Sequence, residues 1–374
     1  MRITRLRTTP VRATPSRVSR LNTWVALAAV ALMAAACSGS STSTTDTTTT
    51  VSVSAPATTT TTPVVKAATV TTLPATEPSP PVAQFTGIEV AEELTQPAIL
   101  IKIDNHQNAR PQRGINNADV VFEELVEGNI TRLATIFHSQ EADPVGPVRS
   151  ARTGDFALLT NLNTPLFANS GGNPTVMNLV RNVDAVLISD ANVGSPTFYR
   201  GGGKAAPHNL LTTTAAIRAA ADGAGGTPAQ FFAFRKAGAP LPDTAEDVGQ
   251  IRIDYGGYRI DFVWDPAVSG WARSQQGTPH VDADGLQIAF ENVIVQYSTY
   301  GSSVAFAGSP EVKPIGTGEA WVLTAGRLIR AEWSRPTSEA ITEYRDINGD
   351  IVELTPGRTW VALPRPGSGS LLED

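Results

Sequence analysis

The ten residues PLFANSGGNP, from Pro165 to Pro174, decide the fold of the first half of the chain. The run from Pro165 to Ala168 is apolar enough for a buried strand, and the glycines lead into a helix that Asn173 can cap. A second apolar run extends from Ala185 to Ser189. Because a strand, a helix and a strand in this order are typical of a parallel crossover, we predict an α/β layer.

The segments around this unit carry further strand and helix patterns. Strands are predicted at Ala98–Ile103, Asp119–Val126 and Ile130–His138, and the last two are joined by a hairpin turn at residues 127–129. Helices are predicted from Ser150, as the cap, to about Leu162, and from about Thr213 to Asp222. We assign this region, residues 84–237, to one domain with a mixed sheet.

The second region, residues 244–374, consists of short alternating runs separated by Gly- and Asn-containing turns. The strands predicted there are Ile251–Asp254, Tyr258–Trp264, Gly270–Ser274, Val293–Tyr297, Glu319–Leu323, Leu328–Trp333 and Thr359–Ala362. No helix pattern interrupts them. The predicted fold class is therefore α+β overall, with an N-terminal α/β layered domain followed by a mostly antiparallel β domain.

The start of the chain has the features of an export signal that ends at a lipidated cysteine. Six arginines and no acidic residue lie between Arg2 and Arg20, and the apolar run from Trp24 is followed by three alanines and Cys37, the only cysteine. About 13 apolar residues are too few to span ~30 Å of hydrocarbon as a helix. We interpret residues 1–37 as a lipoprotein signal peptide with Cys37 as the lipidation site. The alternatives are a plain secretory signal and a chance cysteine.

Residues 38–83 are dominated by Ser, Thr, Pro and Ala and contain no aromatic residue before the folded region. Such a segment buries too little apolar surface to offset its ordering entropy, so we predict a disordered tether. The chain has 35 acidic and 29 basic residues, and six of the basic ones precede Cys37, which leaves a net charge of −12 after it.

This acidic balance excludes nucleic acid as an expected partner and leaves the acyl chain as the predicted membrane contact. A folded part without cysteine also excludes disulfides and thiolate metal sites. The sequence predicts no cofactor and no metal site. We expect the protein at the extracytoplasmic face of the bacterial cell membrane, facing a possible cell-wall ligand.

Four short stretches carry polar residues that folding alone does not require. They are Asp104-Asn105-His106 with Arg110-Pro111-Gln112, Gly146 to Arg152, Ser170 to Asn173, and Ala206 to Asn209. The candidate ligand-binding residues in them are Asp104, His106, Arg110, Arg149, Ser150, Arg152, His208 and Asn209. Arginine forks at the start of a helix favour a carboxylate or phosphate ligand. The alternative is that Arg149 and Arg152 pair with Asp155, Glu123 or Glu124.

Other chemistry is open at the same residues. Asp104, His106 and His208 have the side chains of an open metal site, or of an acid and a base for hydrolysis. Ser150 or Ser170 would need a nearby His to become a nucleophile. Asp104 with Glu124 or Glu127 could form the carboxylate pair of a glycosidase. Five tryptophans of the second region are interpreted as core rather than as a ligand platform.

Several ordered motifs resemble those of the YerB-like bacterial lipoproteins. They are Ile103-Asp104-Asn105-His106, Ala109 to Gln112, Ala118 to Val121, Val126 to Arg132, Gly146 to Arg152, Ala206 to Asn209, Gly277 to Asp282, Asn292-Val293 and Pro356 to Trp360. The resemblance covers about residues 94–364. It implies a lipid-anchored envelope protein with paired N- and C-terminal domains and no assigned activity.

From residues and resemblance together, we predict an envelope protein that binds an anionic ligand or cell-wall component in a cleft of its first domain. The alternative prediction is an envelope hydrolase of wall glycan, peptide or phosphodiester that uses Asp104, His106 and His208.

Overall fold

The structure is a computed structural model that describes residues 80–372. Within this range no helix has both the length and the apolar composition that a membrane span requires. The predicted signal peptide, Cys37 and the tether up to residue 79 lie outside the described residues.

The described residues are mostly strands, at 39%, with 11% in helices. The strands are β1 (Ile99–Asp104), β2 (Val120–Leu125), β3 (Thr131–Phe137), β4 (Leu166–Asn169), β5 (Val186–Ser189), β6 (Tyr199–Arg200), β7 (Leu210–Leu211), β8 (Glu246–Asp247), β9 (Gln250–Asp254), β10 (Arg259–Asp265), β11 (Gly270–Gln275), β12 (Thr278–Pro279), β13 (Ala289–Phe290), β14 (Asn292–Gln296), β15 (Thr299–Ser302), β16 (Pro310–Lys313), β17 (Gly316–Thr324), β18 (Arg327–Arg335), β19 (Glu343–Asp346), β20 (Thr359–Leu363) and β21 (Gly369–Leu372). The helices are α1 (Asp155–Leu159), α2 (Pro174–Val180), α3 (Asp190–Val193) and α4 (Thr214–Ala221), with 3-10 turns at Gln107–Ala109, Ile115–Asn117 and Glu127–Asn129.

The largest sheet is mixed, as predicted. Its strand order is β19-β18-β17-β14-β20-β2-β3-β1-β4-β5, with β8 paired to β18. Strands β1, β4 and β5 are parallel, and α2 connects β4 to β5. The crossover read from PLFANSGGNP is therefore present, and Asn173 caps α2 by accepting the N–H of Thr175. Each predicted strand occurs within three residues of its expected bounds.

Strand β20, from the C-terminal part of the chain, lies inside this sheet between β2 and β14. It runs parallel to both, and all five of its residues are buried. Residues 120–125 therefore depend on residues 359–363 for one of their two hydrogen-bonded neighbours. The two regions distinguished in the sequence are interleaved in one sheet, although their division into two domains stays a prediction.

A second sheet, antiparallel throughout, has the order β12-β11-β10-β9-β21 with β13 paired to β11. It packs on the large sheet through a shared apolar core that includes Phe262, Trp271, Phe290 and Trp360. Of the five tryptophans of this region, Trp271, Trp321, Trp333 and Trp360 are buried, which agrees with their interpretation as core.

The helix predicted to start at Ser150 begins instead at Asp155 and ends at Leu159. Residues 148–151 are extended because their backbone groups bond to neighbouring strands and loops. The N–H of Arg149 donates to Lys102 at 2.8 Å and the N–H of Ala151 donates to Gly171 at 2.9 Å. Because α1 and α2 have only five and seven residues, the helix N-termini expected to attract an anion are short.

We predict that residues 80–237 do not fold alone, because β2 would expose the backbone edge that β20 covers. Circular dichroism and two-dimensional NMR should show no cooperative thermal transition and poor dispersion for this fragment. The full chain, as the control, should unfold cooperatively. A fragment that melts cooperatively would contradict this dependence.

Candidate functional site

The candidate site lies where β1 and β4 end on the same edge of the large sheet. The segment 147–151 runs across this edge, with Ile103 bridged to Val148 and the N–H of Asp104 donating to Pro147 at 2.9 Å. On its other side, the N–H of Ser170 donates to Arg149 at 3.0 Å. The carboxyl ends of parallel strands are common ligand sites because the loops that follow them converge.

Asp104 is the centre of the site. Its Oδ2 lies 2.9 Å from Nε of Arg149 and 2.7 Å from Nδ1 of His208. Its Oδ1 accepts the backbone N–H of His106 at 3.0 Å, and the His106 ring stacks on the His208 ring with centroids 4.8 Å apart. The sequence-predicted residues Asp104, His106, Arg149 and His208 are thus brought together.

The Asp104 carboxyl is ionised at neutral pH although its side chain is only 1% exposed. Burial is the largest single influence and raises its pKa. The N–H of His106, the charge of Arg149 and the hydrogen bond of His208 together outweigh burial, so the pKa of Asp104 is lowered. Since Asp104 holds Nδ1 of His208, Nε2 is the ring nitrogen left to face a ligand.

Arg152 is engaged by Glu127, at the turn between β2 and β3. Its Nε and Nη2 donate to the two carboxylate oxygens at 3.1 and 3.0 Å. Burial acts in the opposite direction, but the hydrogen bonds from Arg152 and Ser309 lower the pKa of Glu127 to about 2. Arg149 and Arg152 therefore both have carboxylate partners. The partners are Asp104 and Glu127 rather than Asp155, Glu123 or Glu124, which the sequence suggested.

The remaining candidates have different surroundings. Ser150 Oγ lies 3.4 Å from Ser170 Oγ. Asn209 bonds to Arg200 at 2.8 Å and to the carbonyl of Lys204 at 2.9 Å, and so orders its own loop. Arg110 faces the second sheet. Burial lowers its pKa, Tyr258 acts in the opposite direction, and the charge of Arg273 lowers it further.

Charged residues that the sequence analysis did not select lie on the same sheet face as Asp104. Lys102, on β1, contacts both Glu124 and Asp155, and all three side chains are buried. Arg132, on β3, is only 5% exposed and stands opposite Asp104 and Glu124 in the strand register. The sequence did contain a signal for such residues, because Lys102 and Asp104 stand at alternate positions of an apolar strand and therefore point to one face.

The opposite face of the same strands carries a buried polar network that joins the two sheets. Glu123 accepts hydrogen bonds from Arg273 at 2.6 Å, Thr131 at 2.7 Å and Trp360 at 3.0 Å. The network continues through His280, which lies 2.5 Å from Arg273 and 2.8 Å from Gln112 Oε1. Gln112 in turn bonds to Asn105, the residue after Asp104, at 2.9 Å. The segment after β1, which carries Asn105 and His106, is therefore hydrogen-bonded to the second sheet.

Two of the open alternatives find no supporting geometry among the described residues. No group of three His, Cys, Asp or Glu side chains within residues 80–372 is placed to hold a metal ion. The hydroxyl of Ser150 bonds to another hydroxyl rather than to a histidine, so no base is placed to activate it.

We predict that acid weakens the fold through His280. Burial, and then the charges of Arg273 and Arg110, lower the pKa of His280 well below its usual range. Above the unfolded pKa of about 6.5 this residue has no effect on stability. Below it the unfolded chain takes up a proton that the folded chain refuses, so stability is lost as the pH falls.

Between pH 7.5 and 5.5 one such histidine should cost about 1.4 kcal/mol of unfolding free energy. We would measure the unfolding free energy of both proteins by urea denaturation at pH 7.5 and 5.5. Between these pH values it should fall by about 1.4 kcal/mol less in His280→Gln than in the wild type. His138, whose pKa burial also lowers, is present in both proteins and acts equally. Equal slopes in the two proteins would contradict the prediction.

Comparisons with known proteins agree with this architecture. Residues 85–227 match the model described as "Protein of unknown function (DUF3048) N-terminal domain", and residues 251–361 match its C-terminal domain. A protein of Bacillus subtilis (strain 168) named "Putative lipoprotein YerB" is 26% identical over 293 residues, which cover 75% of this chain and 85% of the relative.

The crystal structure of the YerB protein from Bacillus subtilis has the same fold, with a TM-score of 0.70 at 24% identity over 78% of this chain and 99% of that one. The resemblance seen in the motifs is confirmed. The chain belongs to the YerB-like family of two-part DUF3048 proteins, whose function is unknown.

Proposed function

We propose that this protein is a lipid-anchored protein of the bacterial envelope that binds an anionic ligand or cell-wall component in the cleft around Asp104, Arg149 and His208. The relative's name supports the lipoprotein assignment. Cys37 is the proposed anchor, and the extracytoplasmic face of the membrane is the proposed location. The acidic charge of the chain after Cys37 leaves the lipid as the membrane contact.

The observation that carries the proposal is the convergence of three distant segments on one buried carboxylate. His208 lies 104 positions from Asp104, and Arg149 comes from a third loop. Apolar packing alone would not place charged groups here, because a buried charge costs free energy unless a partner of opposite charge compensates it. Perturbed, partly exposed charges that meet at strand ends are typical of ligand sites.

The cleft has donors to offer an anion. Nε of Arg149 lies 2.9 Å from Asp104 and the Arg149 side chain is 24% exposed, so a ligand can reach its guanidinium. Ser150 follows Arg149 in the chain and the N–H of Ser170 donates to the Arg149 carbonyl, and the two serine hydroxyls lie 3.4 Å apart.

We predict that Arg149→Ala weakens binding of purified wall fragments to the full chain about tenfold or more. A hydrogen bond to a charged group contributes about 1.5–3 kcal/mol, and 1.4 kcal/mol is a factor of ten. Arg345→Ala is the matched control, because Arg345 is an exposed arginine that pairs with Glu343 on β19, far along the sheet. Equal affinities for wild type and Arg149→Ala would refute the proposal.

A second candidate, an envelope hydrolase, is favoured by one observation. The 2.7 Å contact between Asp104 and Nδ1 of His208 is the arrangement that orients a histidine as a general base. If this is the function, wild type should release soluble products from wall glycan, peptide or phosphodiester, and His208→Ala should lose that release by at least a hundredfold while still binding fragments. Release that survives in His208→Ala would reject the hydrolase.

A further inference from the structure

The guanidinium of Arg132 has neither a hydrogen bond nor an ion pair with any described residue, whereas Arg149 and Arg152 are each paired with a carboxylate. Arg132 lies between Asp104 on β1 and Glu124 on β2, in register with both, yet donates to neither. Its Nε and Nη1 atoms are buried and without partners within residues 80–372. Two of its three nitrogens are therefore buried donors that no described residue satisfies.

The neighbouring carboxylates are committed elsewhere. Asp104 lies against Arg149 and His208, Glu127 binds Arg152, and Glu124 contacts Lys102. Lys102 also contacts Asp155, so one lysine is shared by two carboxylates. Burial raises the pKa of Glu124, Lys102 acts in the opposite direction, and the charge of Asp155 raises it again. A buried guanidinium without hydrogen bonds is costly, and natural proteins keep few such groups.

Arg132 belongs to the same electrostatic site as the other two arginines. Burial and the charges of Arg152 and Arg149 lower the pKa of Arg132 to about 10, while Asp104 and Glu127 act in the opposite direction. Arg149 and Arg152 are each paired with one of these carboxylates. Arg132 is the arginine of the three whose charge an incoming anion would compensate.

We propose that Arg132 and Arg149, with the hydroxyls of Ser150 and Ser170, form a subsite for a phosphate group. This inference rests on the proposed function and assigns its ligand class. A carboxylate presents two oxygens in one plane, whereas a phosphate presents oxygens in several directions and suits donors that come from a sheet, a loop and a serine pair. The phosphate can belong to a wall polymer or to a lipid headgroup.

The test compares two probes with the same carbon skeleton, glycerol 3-phosphate and glycerate, by calorimetry on the full chain. Wild type should bind glycerol 3-phosphate at least tenfold more tightly than glycerate. Arg132→Met should lose that preference and weaken phosphate binding at least tenfold. Arg345→Ala, which removes an exposed arginine that pairs with Glu343 on β19, should retain phosphate binding.

A folding control separates a binding role from a structural one. Methionine fills the space of the arginine stem and, because Nε and Nη1 of Arg132 have no acceptor among the described residues, the replacement leaves no hydrogen-bond partner unsatisfied there. The unfolding midpoint of Arg132→Met should therefore equal or exceed that of wild type. Arg132→Lys keeps the charge without the fork and should recover only part of the affinity.

The outcomes distinguish this inference from the proposed function. If Arg149→Ala weakens wall-fragment binding but Arg132→Met binds glycerol 3-phosphate like wild type, the phosphate subsite is wrong and the proposed function stands. If wild type prefers glycerate, the ligand class is wrong. If wild type binds wall fragments no better than Arg149→Ala does, the proposed function itself fails.

Two further arms identify the source of the phosphate. They use the Cys37→Ala chain, so that the anchor does not itself hold the protein on membranes. Retention on phosphatidylglycerol vesicles that is lost in Arg132→Met would identify a lipid headgroup. Retention on wall fragments that glycerol 3-phosphate displaces, and that Arg132→Met loses, would identify a wall polymer. Retention that is unchanged in Arg132→Met in both arms would overturn the subsite.

Discussion

The buried carboxylate of Glu123 is the interaction on which the rest of the structure depends. It has no exposed surface and holds Arg273 of the second sheet, Trp360 of β20 and Thr131 of β3. The Arg273 guanidinium also lies over the Trp360 ring, 4.7 Å from its centroid. Removing one member of a buried ion pair costs about 3–5 kcal/mol because the other is left uncompensated. Both sheets and the C-terminal strand are therefore fixed to one another at this point.

The position of the candidate site follows from this connection between the two sheets. Side chains alternate between the faces of β1, β2 and β3, so Glu123 and Thr131 face the second sheet while Asp104, Glu124 and Arg132 face the other side. The network below the loop, through Gln112 and Asn105, holds the loop that carries His106. Side chains supported in this way are held in place, which would reduce the ordering cost of binding the proposed ligand.

Local patterns in the sequence predicted the strands, the hairpin and the parallel crossover, because each depends on residues close together in the chain. The position of β20 between β2 and β14 was not predictable, since a partner strand 239 residues away, as β2 is, leaves no trace in the periodicity of β20. Ser150 was expected to cap a helix, but the segment bonds to β1 instead. Asp104, His106, Arg149 and His208 were selected as candidates, whereas Arg132 was overlooked because a single arginine in an apolar strand resembles an ordinary edge residue.

The proposed phosphate subsite beside Asp104 is tested most directly by a crystal structure of the protein grown with glycerol 3-phosphate, because phosphorus density marks the position of the group. We expect the phosphate within hydrogen-bond distance of Arg132 and Arg149, with His208 still on Asp104. A phosphate bound at another surface of the protein, or a cleft that stays without it at saturating probe, would contradict the account.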